Sequence, residues 1–271
     1  RTFLRYDGYG NITDKETAEV IDDQGNTQDK RNEYTEYSND TTNWVFNRPV
    51  HTWITNTDKE GPKKAESWFA YDGRWNLLSK TARLAGGTNP TVSYTYNQYG
   101  NQVTATDARN YTTTMEYDAT ETYVVRTTNP KNHVVDATWD PKYGKLLTKT
   151  IPHLSSDPGP YPQTVNAYDG FGRLSTVTPP GYTTPSQQYQ YLDFGTVGQQ
   201  RVTILLAFNL WKETFFDGLG RTIYTRKPSA EPASPILTTT EYNTIGQTAR
   251  QSTPCFRSEE RRVGKECRSR W

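Results

Sequence analysis

Three histidines are the first candidates for chemistry in this chain, because imidazole nitrogens bind metals and transfer protons near neutral pH. They stand at His51, His133 and His153. Their spacing does not give the i, i+4 pair of a helical metal site, and no cysteine accompanies them, since the two cysteines are Cys255 and Cys267. We therefore expect each histidine to lie at the surface or at a strand end, and we predict no metal and no other cofactor.

The aspartates and glycines also offer little catalytic chemistry. Aspartates are numerous, but six of the sixteen directly follow an aromatic residue in a turn-like context, and no distinctive carboxylate pair stands out for acid–base work. The segments at 8–10 and 170–172 read Gly-Tyr-Gly and Gly-Phe-Gly. Neither is followed by the lysine and the helix of a phosphate-binding loop. We predict that the chain is not an enzyme.

A repeated unit, an aromatic residue followed by Asp or Asn and then a glycine-containing turn, organises the chain. Its copies begin at Tyr6, Tyr71, Tyr96, Tyr117, Trp139, Tyr168, Phe216 and Tyr242. These lead aromatic residues are separated by 65, 25, 21, 22, 29, 48 and 26 residues. We interpret the gap of 65 as nearly three units and that of 48 as two, which gives a period of roughly 22 to 25 residues.

Each unit has the pattern of a β-hairpin. Before one turn, Val92, Tyr94 and Tyr96 alternate with small polar residues, as in a strand with one packed face. The Asp or Asn can accept hydrogen bonds from turn amides, and the following glycine permits a positive φ. Dipeptides such as Asn129-Pro130 mark a second connection. The residues with this structural role are Tyr6, Asp7, Gly10, Tyr71, Asp72, Tyr96, Gly100, Tyr168, Asp169, Gly172, Arg173, Phe216, Asp217, Gly220, Arg221, Tyr242 and Gly246.

We predict an all-β fold of repetitive antiparallel β-hairpins that form part of a curled β-sheet. Hydrophobic residues make up 32% of the chain and aromatic residues 13%, with 19 Tyr and 7 Trp, and the mean hydropathy is -0.91. Half-exposed β surfaces suit such a composition. The longest apolar run, residues 202–208, is too short to cross a bilayer and reads as a buried strand. Because an isolated hairpin is barely stable, successive units must share a face.

The repeats resemble the Rhs/YD-repeat family. Its signature, YDGxGR, is matched best at residues 168–173 and 216–221. Residues 37–44 with the following Arg48-Pro49, and the stretch from 215–221 through 241–242 and 251–254, are most similar to the repeat region of bacterial insecticidal toxin-complex B components. The resemblance covers residues 1–256. Asp157-Pro158 departs from the self-cleavage motif of that family, and we interpret it as a loop.

The resemblance implies a spiralling β-sheet that closes into a hollow shell around a C-terminal segment, often a toxin. We expect a structural shell segment of a bacterial protein that is secreted or lies at the cell surface. Its partners would be the remainder of its own shell, an enclosed cargo and other toxin-complex subunits. The alternative is a cell-surface adhesion or carbohydrate-binding repeat protein, with exposed aromatic residues as binding elements.

The last fifteen residues differ in composition from the rest. Residues 257–271 contain six basic and three acidic side chains, and subtracting this +3 from the net +1 leaves −2 for residues 1–256. The tail resembles a translated sequencing adapter, so we predict that it is not native and that the repeat region ends at residue 256. The chain begins at Arg1 and its only methionine is Met115. We expect a fragment of a larger shell, with unpaired sheet edges that promote association. Without the tail, nothing favours nucleic-acid binding.

Overall fold

The computed structural model describes residues 2–17, 20–21, 27–28, 31–230 and 234–256. The tail at 257–271 lies outside the described residues, so its adapter origin stays a prediction. The chain separates into two compact units, Arg1–Val134 and Val135–Trp271. Copies of the repeated turn occur in both units, so the boundary between the units falls within the repeats.

The first unit is a series of antiparallel strands. They are β1 (Thr2–Tyr6), β2 (Ile12–Thr17), β3 (Val20–Ile21), β4 (Thr27–Gln28), β5 (Arg31–Asp40), β6 (Val45–Thr55), β7 (Lys63–Tyr71), β8 (Leu77–Ala82), β9 (Thr91–Tyr96), β10 (Gln102–Thr106), β11 (Thr112–Tyr117) and β12 (Val124–Thr128). The pairing order is β1-β2-β5-β6-β7-β8-β9-β10-β11-β12. Strands β3 and β4 form a separate small pair.

The second unit continues this arrangement after β13 (His133–Asp140), which crosses the boundary. Its elements are β14 (Lys145–Thr150), β15 (His153–Leu154), β16 (Gln163–Tyr168), β17 (Leu174–Thr178), β18 (Gln187–Leu192), β19 (Arg201–Leu206), the 3-10 turn η1 (Ala207–Asn209), β20 (Trp211–Phe216), β21 (Thr222–Lys227), β22 (Ile236–Tyr242), β23 (Thr248–Gln251) and β24 (Cys255–Phe256). The pairing order is β13-β14-β16-β17-β18-β19-β20-β21-β22, and β22 also pairs with β23 and β24.

The predicted all-β fold of antiparallel hairpins is confirmed. The predicted curl is not seen; within the first unit the sheet has an open edge, because β1 pairs with β2 and with no other described strand. The buried strand predicted at 202–208 is also wrong. Strand β19 ends at Leu206 and is mostly half-buried, while Phe208 in η1 is 94% exposed. Within the described ranges, no helix is long and apolar enough to cross a membrane.

Hydrophobic burial is sparse. Among the described residues only Tyr34, Trp53, Val134 and Phe215 are buried hydrophobic side chains. Tyr34 pairs with Trp53 across β5 and β6, with ring centroids 5.3 Å apart, and Phe215 stacks on Tyr224 at 4.1 Å. Stability therefore depends on cross-strand pairs within a thin sheet rather than on a central core.

Threonine contributes a second kind of cross-strand pair. Hydroxyl–hydroxyl hydrogen bonds join Thr81 to Thr91 (2.8 Å), Thr95 to Thr104 (2.7 Å), Thr106 to Thr112 (2.8 Å) and Thr138 to Thr148 (2.7 Å). Each pair lies directly opposite in the strand register. Such pairs stabilise a sheet by about 0.2–1 kcal/mol each. They also give each hydroxyl group a hydrogen-bond partner in a sheet that buries few hydrophobic side chains.

Replacing Phe215 with alanine tests the cross-strand packing. Phe215 is 5% exposed, so Phe215→Ala should lower the free energy of unfolding by about 3 kcal/mol through lost contacts and a remaining void. Phe171, which is 82% exposed, provides the control, and Phe171→Ala should change it by less than about 0.5 kcal/mol. Urea unfolding followed by fluorescence measures both. Equal losses would contradict the packing described.

Candidate functional site

One side-chain oxygen closes each repeated turn. In the Tyr168 copy, Asp169 Oδ1 accepts the backbone N–H groups of Phe171 and Arg173, both at 2.9 Å. The Asp169 N–H in turn donates to the Arg173 carbonyl at 2.8 Å. The same pair of contacts to the second and fourth following amides recurs at Asp7, Asp72, Asn97, Asp217 and Asn243. The turn is thus fixed by its own Asp or Asn.

A left-handed residue completes the turn three positions after the Asp or Asn. It is Gly10 (φ 87°), Gly100 (85°), Gly172 (74°), Gly220 (76°) or Gly246 (84°). A turn followed by a left-handed residue makes a bulged hairpin, and the strand register shifts next to the lead aromatic, as between Ala167 and Tyr168. In the Tyr71 copy this position holds Trp75 at φ 65° instead of a glycine.

Arginine at the end of the YDGxGR motif joins its own turn to the next hairpin. Arg221 Nε donates to Asp217 Oδ2 at 2.7 Å, and the guanidinium lies over the ring of Tyr242, 4.5 Å from its centroid. Arg173 makes the same contacts with Asp169 at 2.7 Å and with Tyr191 at 4.1 Å. This dual contact gives a physical reason for the arginine in the motif.

Seven tyrosine hydroxyl groups link a hairpin to the one before it, while the lead residues Trp139 and Phe216 carry no hydroxyl group. The hydroxyl donates to a main-chain carbonyl in the pairs Tyr37–Ile12 (3.1 Å), Tyr71–Pro49 (2.9 Å), Tyr96–Leu77 (2.9 Å), Tyr117–Gln102 (3.0 Å), Tyr168–Leu146 (2.9 Å), Tyr191–Leu174 (3.1 Å) and Tyr242–Thr222 (2.9 Å). Each acceptor lies directly opposite the lead aromatic of the preceding hairpin. The contact therefore recurs as a rule, and we call it the hydroxyl junction.

The structure identifies two lead tyrosines that the sequence motif missed. Tyr37 and Tyr191 make hydroxyl junctions, but their turn aspartates, Asp40 and Asp193, come three and two residues later instead of directly after them. Tyr37 divides the gap of 65 into 31 and 34 residues, so the interpretation as three units was wrong. Tyr191 divides the gap of 48 into 23 and 25 residues, which agrees with two units.

The same turn also forms at connections that lack an aromatic lead. Asp107 accepts the N–H groups of Arg109 at 2.8 Å and Tyr111 at 3.0 Å. Asn129, interpreted above only as part of a second connection, accepts those of Lys131 at 2.9 Å and His133 at 3.0 Å. In the sequence, both turns are marked by an Asn three positions after the residue that caps the turn. These residues, Asn110 and Asn132, adopt φ 63° and 62°.

The histidines occupy three different settings. His133 begins β13, as expected for a strand end, and His153 begins β15 but is buried. The expectation is wrong for His51, which lies inside β6 with a side chain 15% exposed. Strands β5 and β7 place Glu36 and Glu66 on either side of it, at 3.2 Å and 2.9 Å. His51 differs from the expectation because strand pairing brings Glu36 and Glu66 beside it, and the spacing of residues in the sequence does not show this pairing.

Glu66 is the centre of an ion-pair network around His51. Its carboxylate contacts Lys63 Nζ at 2.5 Å and Arg83 at 3.5 Å. Burial raises the pKa of Glu66, but hydrogen bonds from Lys63 and His51 outweigh it and hold the pKa below its usual value. The described ranges contain no group of three or more His, Cys, Asp or Glu side chains that could hold a metal. The network joins β6, β7 and the segment after β8.

Asp118 gives the clearest pH test of the turns. Hydrogen bonds from the Thr120 hydroxyl and the Tyr123 and Thr122 amides lower the pKa of Asp118 from 3.8 to about 2. Because the folded pKa lies below the unfolded value, the stability that this carboxylate contributes is present above about pH 4 and is lost as the pH falls toward 2. Thermal unfolding of Asp118→Asn should therefore show a lower midpoint at pH 7 and a shrinking difference toward about pH 2.5.

The reverse exchange provides the control. Asn243 already closes its turn with an amide oxygen, so Asn243→Asp should make the midpoint more sensitive to acid. A destabilisation by Asp118→Asn that stays constant from pH 7 to about pH 2.5 would contradict the role of the carboxylate charge.

Removing one hydroxyl tests the junction itself. Tyr96 keeps its ring in Tyr96→Phe but loses the 2.9 Å bond to the Leu77 carbonyl, which should cost about 1 kcal/mol of unfolding free energy. Tyr99, 65% exposed at the tip of the same turn, is the matched control, and Tyr99→Phe should leave stability unchanged. Hydrogen exchange in β8 and β9 should accelerate only in Tyr96→Phe. The same exchange rates in both variants would refute the contribution of the junction.

Comparison with known proteins shows a weak likeness to solved structures that contain TcdB2-TccC3. No family model and no curated protein matches the chain. The crystal structure of TcdB2-TccC3 aligns with a TM-score of 0.42 and 12% identity over 92% of this chain and 17% of that chain. The crystal structure of TcdB2-TccC3-Cdc42 aligns with a TM-score of 0.36 and 13% identity, over 91% and 17%. The chain thus spans 17% of the length of each of these structures.

Proposed function

We propose that this chain is a wall segment of a YD-repeat β-shell that encloses a toxin or another C-terminal cargo in a bacterial secreted or surface-delivered protein. The hydroxyl junction carries the proposal. It joins one hairpin to the next at seven tyrosines of the described chain. A contact that repeats with the sequence motif can extend a sheet by any number of units, as a wall requires.

The side-chain chemistry supports a structural role and no catalysis. The turn carboxylates are occupied by backbone amides of their own turns, as Asp169 is by Phe171 and Arg173. Glu66, the buried carboxylate, is paired with Lys63 and hydrogen-bonded to His51. A general acid or base must instead reach a substrate. We propose that the parent protein carries any catalytic activity in a segment other than this wall.

The partners follow from the same role. They are the remainder of the shell, the enclosed cargo and, as further candidates, other toxin-complex subunits. Residues 1–256 have a net charge of −2, which offers no attraction to nucleic acid. We propose that the parent protein acts outside the cell that makes it or at the surface of that cell.

A carbohydrate-binding adhesin is the second candidate, and exposed aromatic residues favour it. Tyr9, Tyr99 and Phe171, each three positions after a lead aromatic, are 51%, 65% and 82% exposed. An open groove of about 580 Å³ lies beside Tyr96 and Gln98. If this function is correct, a glycan array should show binding that Tyr99→Ala abolishes.

Protection of a cargo distinguishes the two candidates. For this test, a cleavage site for a specific protease is introduced into the parent reading frame, which is recovered from source DNA. The site is placed in the segment that follows the repeats. A shell should protect that site in the intact protein, while the same segment expressed alone is cut rapidly. Phe215→Ala, which weakens the wall, should accelerate cleavage, and Phe171→Ala should not. Equal cleavage in the intact protein and in the isolated segment would refute enclosure.

A further inference from the structure

Strand β1 of the first unit and strand β23 of the second unit carry complementary halves of a hydroxyl junction. Tyr6, at the end of β1, is 57% exposed, and its hydroxyl has no hydrogen-bond partner among the described residues. Thr248 lies opposite the lead aromatic Tyr242, so its carbonyl occupies the acceptor position of the next junction. In the described part of the chain, no side chain donates to that carbonyl. One end thus presents a donor and the other presents the matching acceptor.

Both strands also offer a free edge for backbone pairing. All five side chains of β1 and all four of β23 are exposed. Among the described strands, β1 pairs only with β2, and β23 pairs only with β22. An open sheet edge exposes unpaired N–H and C=O groups that another strand can satisfy.

We propose that β23 of a second copy of this chain docks on β1 in the geometry of the internal junctions. A second copy is the occupant because each chain carries both the donor edge and the acceptor edge. The contact continues the interface that joins β8 to β9 and β21 to β22 within the chain. Since the two edges differ, the association is head-to-tail and can extend beyond a dimer. It does not depend on the enclosure of a cargo.

The internal junctions fix the register of this contact. In the β8–β9 junction, Tyr96 bonds to Leu77 while Thr91 pairs with Thr81. The same register, applied to Tyr6 of one copy and Thr248 of the other, puts Leu4 directly opposite Ala249. Charged side chains introduced at these two positions can therefore test the contact.

Loss of the Tyr6 hydroxyl is the first test. Sedimentation velocity of the full, unsubstituted chain should show a sedimentation coefficient that increases with protein concentration. Tyr6→Phe should raise the dissociation constant about fivefold, the effect of one hydrogen bond. Tyr9→Phe is the matched control, because Tyr9 is 51% exposed in the same turn and its ring stacks on Phe46. A parent chain that stays monomeric, or equal effects of the two variants, would overturn the proposal.

A pair of double variants tests the register and the head-to-tail direction. Leu4→Lys with Ala249→Lys places like charges opposite each other, whereas Leu4→Lys with Ala249→Glu places opposite charges there. Pairing of β1 with β1 would treat both alike, because both carry the lysine at position 4. We expect the variant with opposite charges to associate at least about fivefold more tightly than the variant with like charges. Equal thermal unfolding midpoints of the two variants would show that both are folded to the same extent. Equal affinities would overturn the proposed contact.

Discussion

The structure depends on the bond between a tyrosine hydroxyl and the carbonyl opposite the preceding lead aromatic. A two-stranded hairpin is barely stable in water by itself, and the described chain buries few hydrophobic side chains. The hydroxyl bond adds a fixed contact between neighbouring hairpins at seven tyrosines, as from Tyr168 to Leu146. Burial raises the pKa of Tyr71, Tyr96 and Tyr191, so these phenols remain protonated donors.

The turn and the junction determine each other. The Asp or Asn fixes the turn, the left-handed residue makes the bulge, and the bulge sets which carbonyl faces the next tyrosine. Arg173 and Arg221 strengthen both parts at once, since each binds its turn carboxylate and covers the ring of the next tyrosine. Each residue type of the motif therefore has a geometric role in the turn, in the contact between neighbours or in both, and the array behaves as a chain of nearest-neighbour interactions.

The sequence predicts the hairpins and the turn because both are local. Alternation and the Asp–Gly spacing indicate them directly, as at Tyr168 and Phe216. It does not predict Tyr37 or Tyr191, because their turns contain extra residues and the dipeptide is broken. Nor does it predict the pairing of His51 with Glu36 and Glu66, which depends on the register of three strands. The hydroxyl junction was likewise hidden, since its two atoms lie 15 to 25 positions apart.

The direction of the hydroxyl junctions has a consequence for biosynthesis. In every one of them the acceptor precedes the donor in the chain, from Ile12 and Tyr37 to Thr222 and Tyr242. A ribosome therefore completes each acceptor edge before it makes the tyrosine that binds there. New hairpins can add one at a time to a finished edge, without waiting for distant parts of the chain. A repeat of this kind can thus grow long in evolution without making the last unit harder to fold than the first.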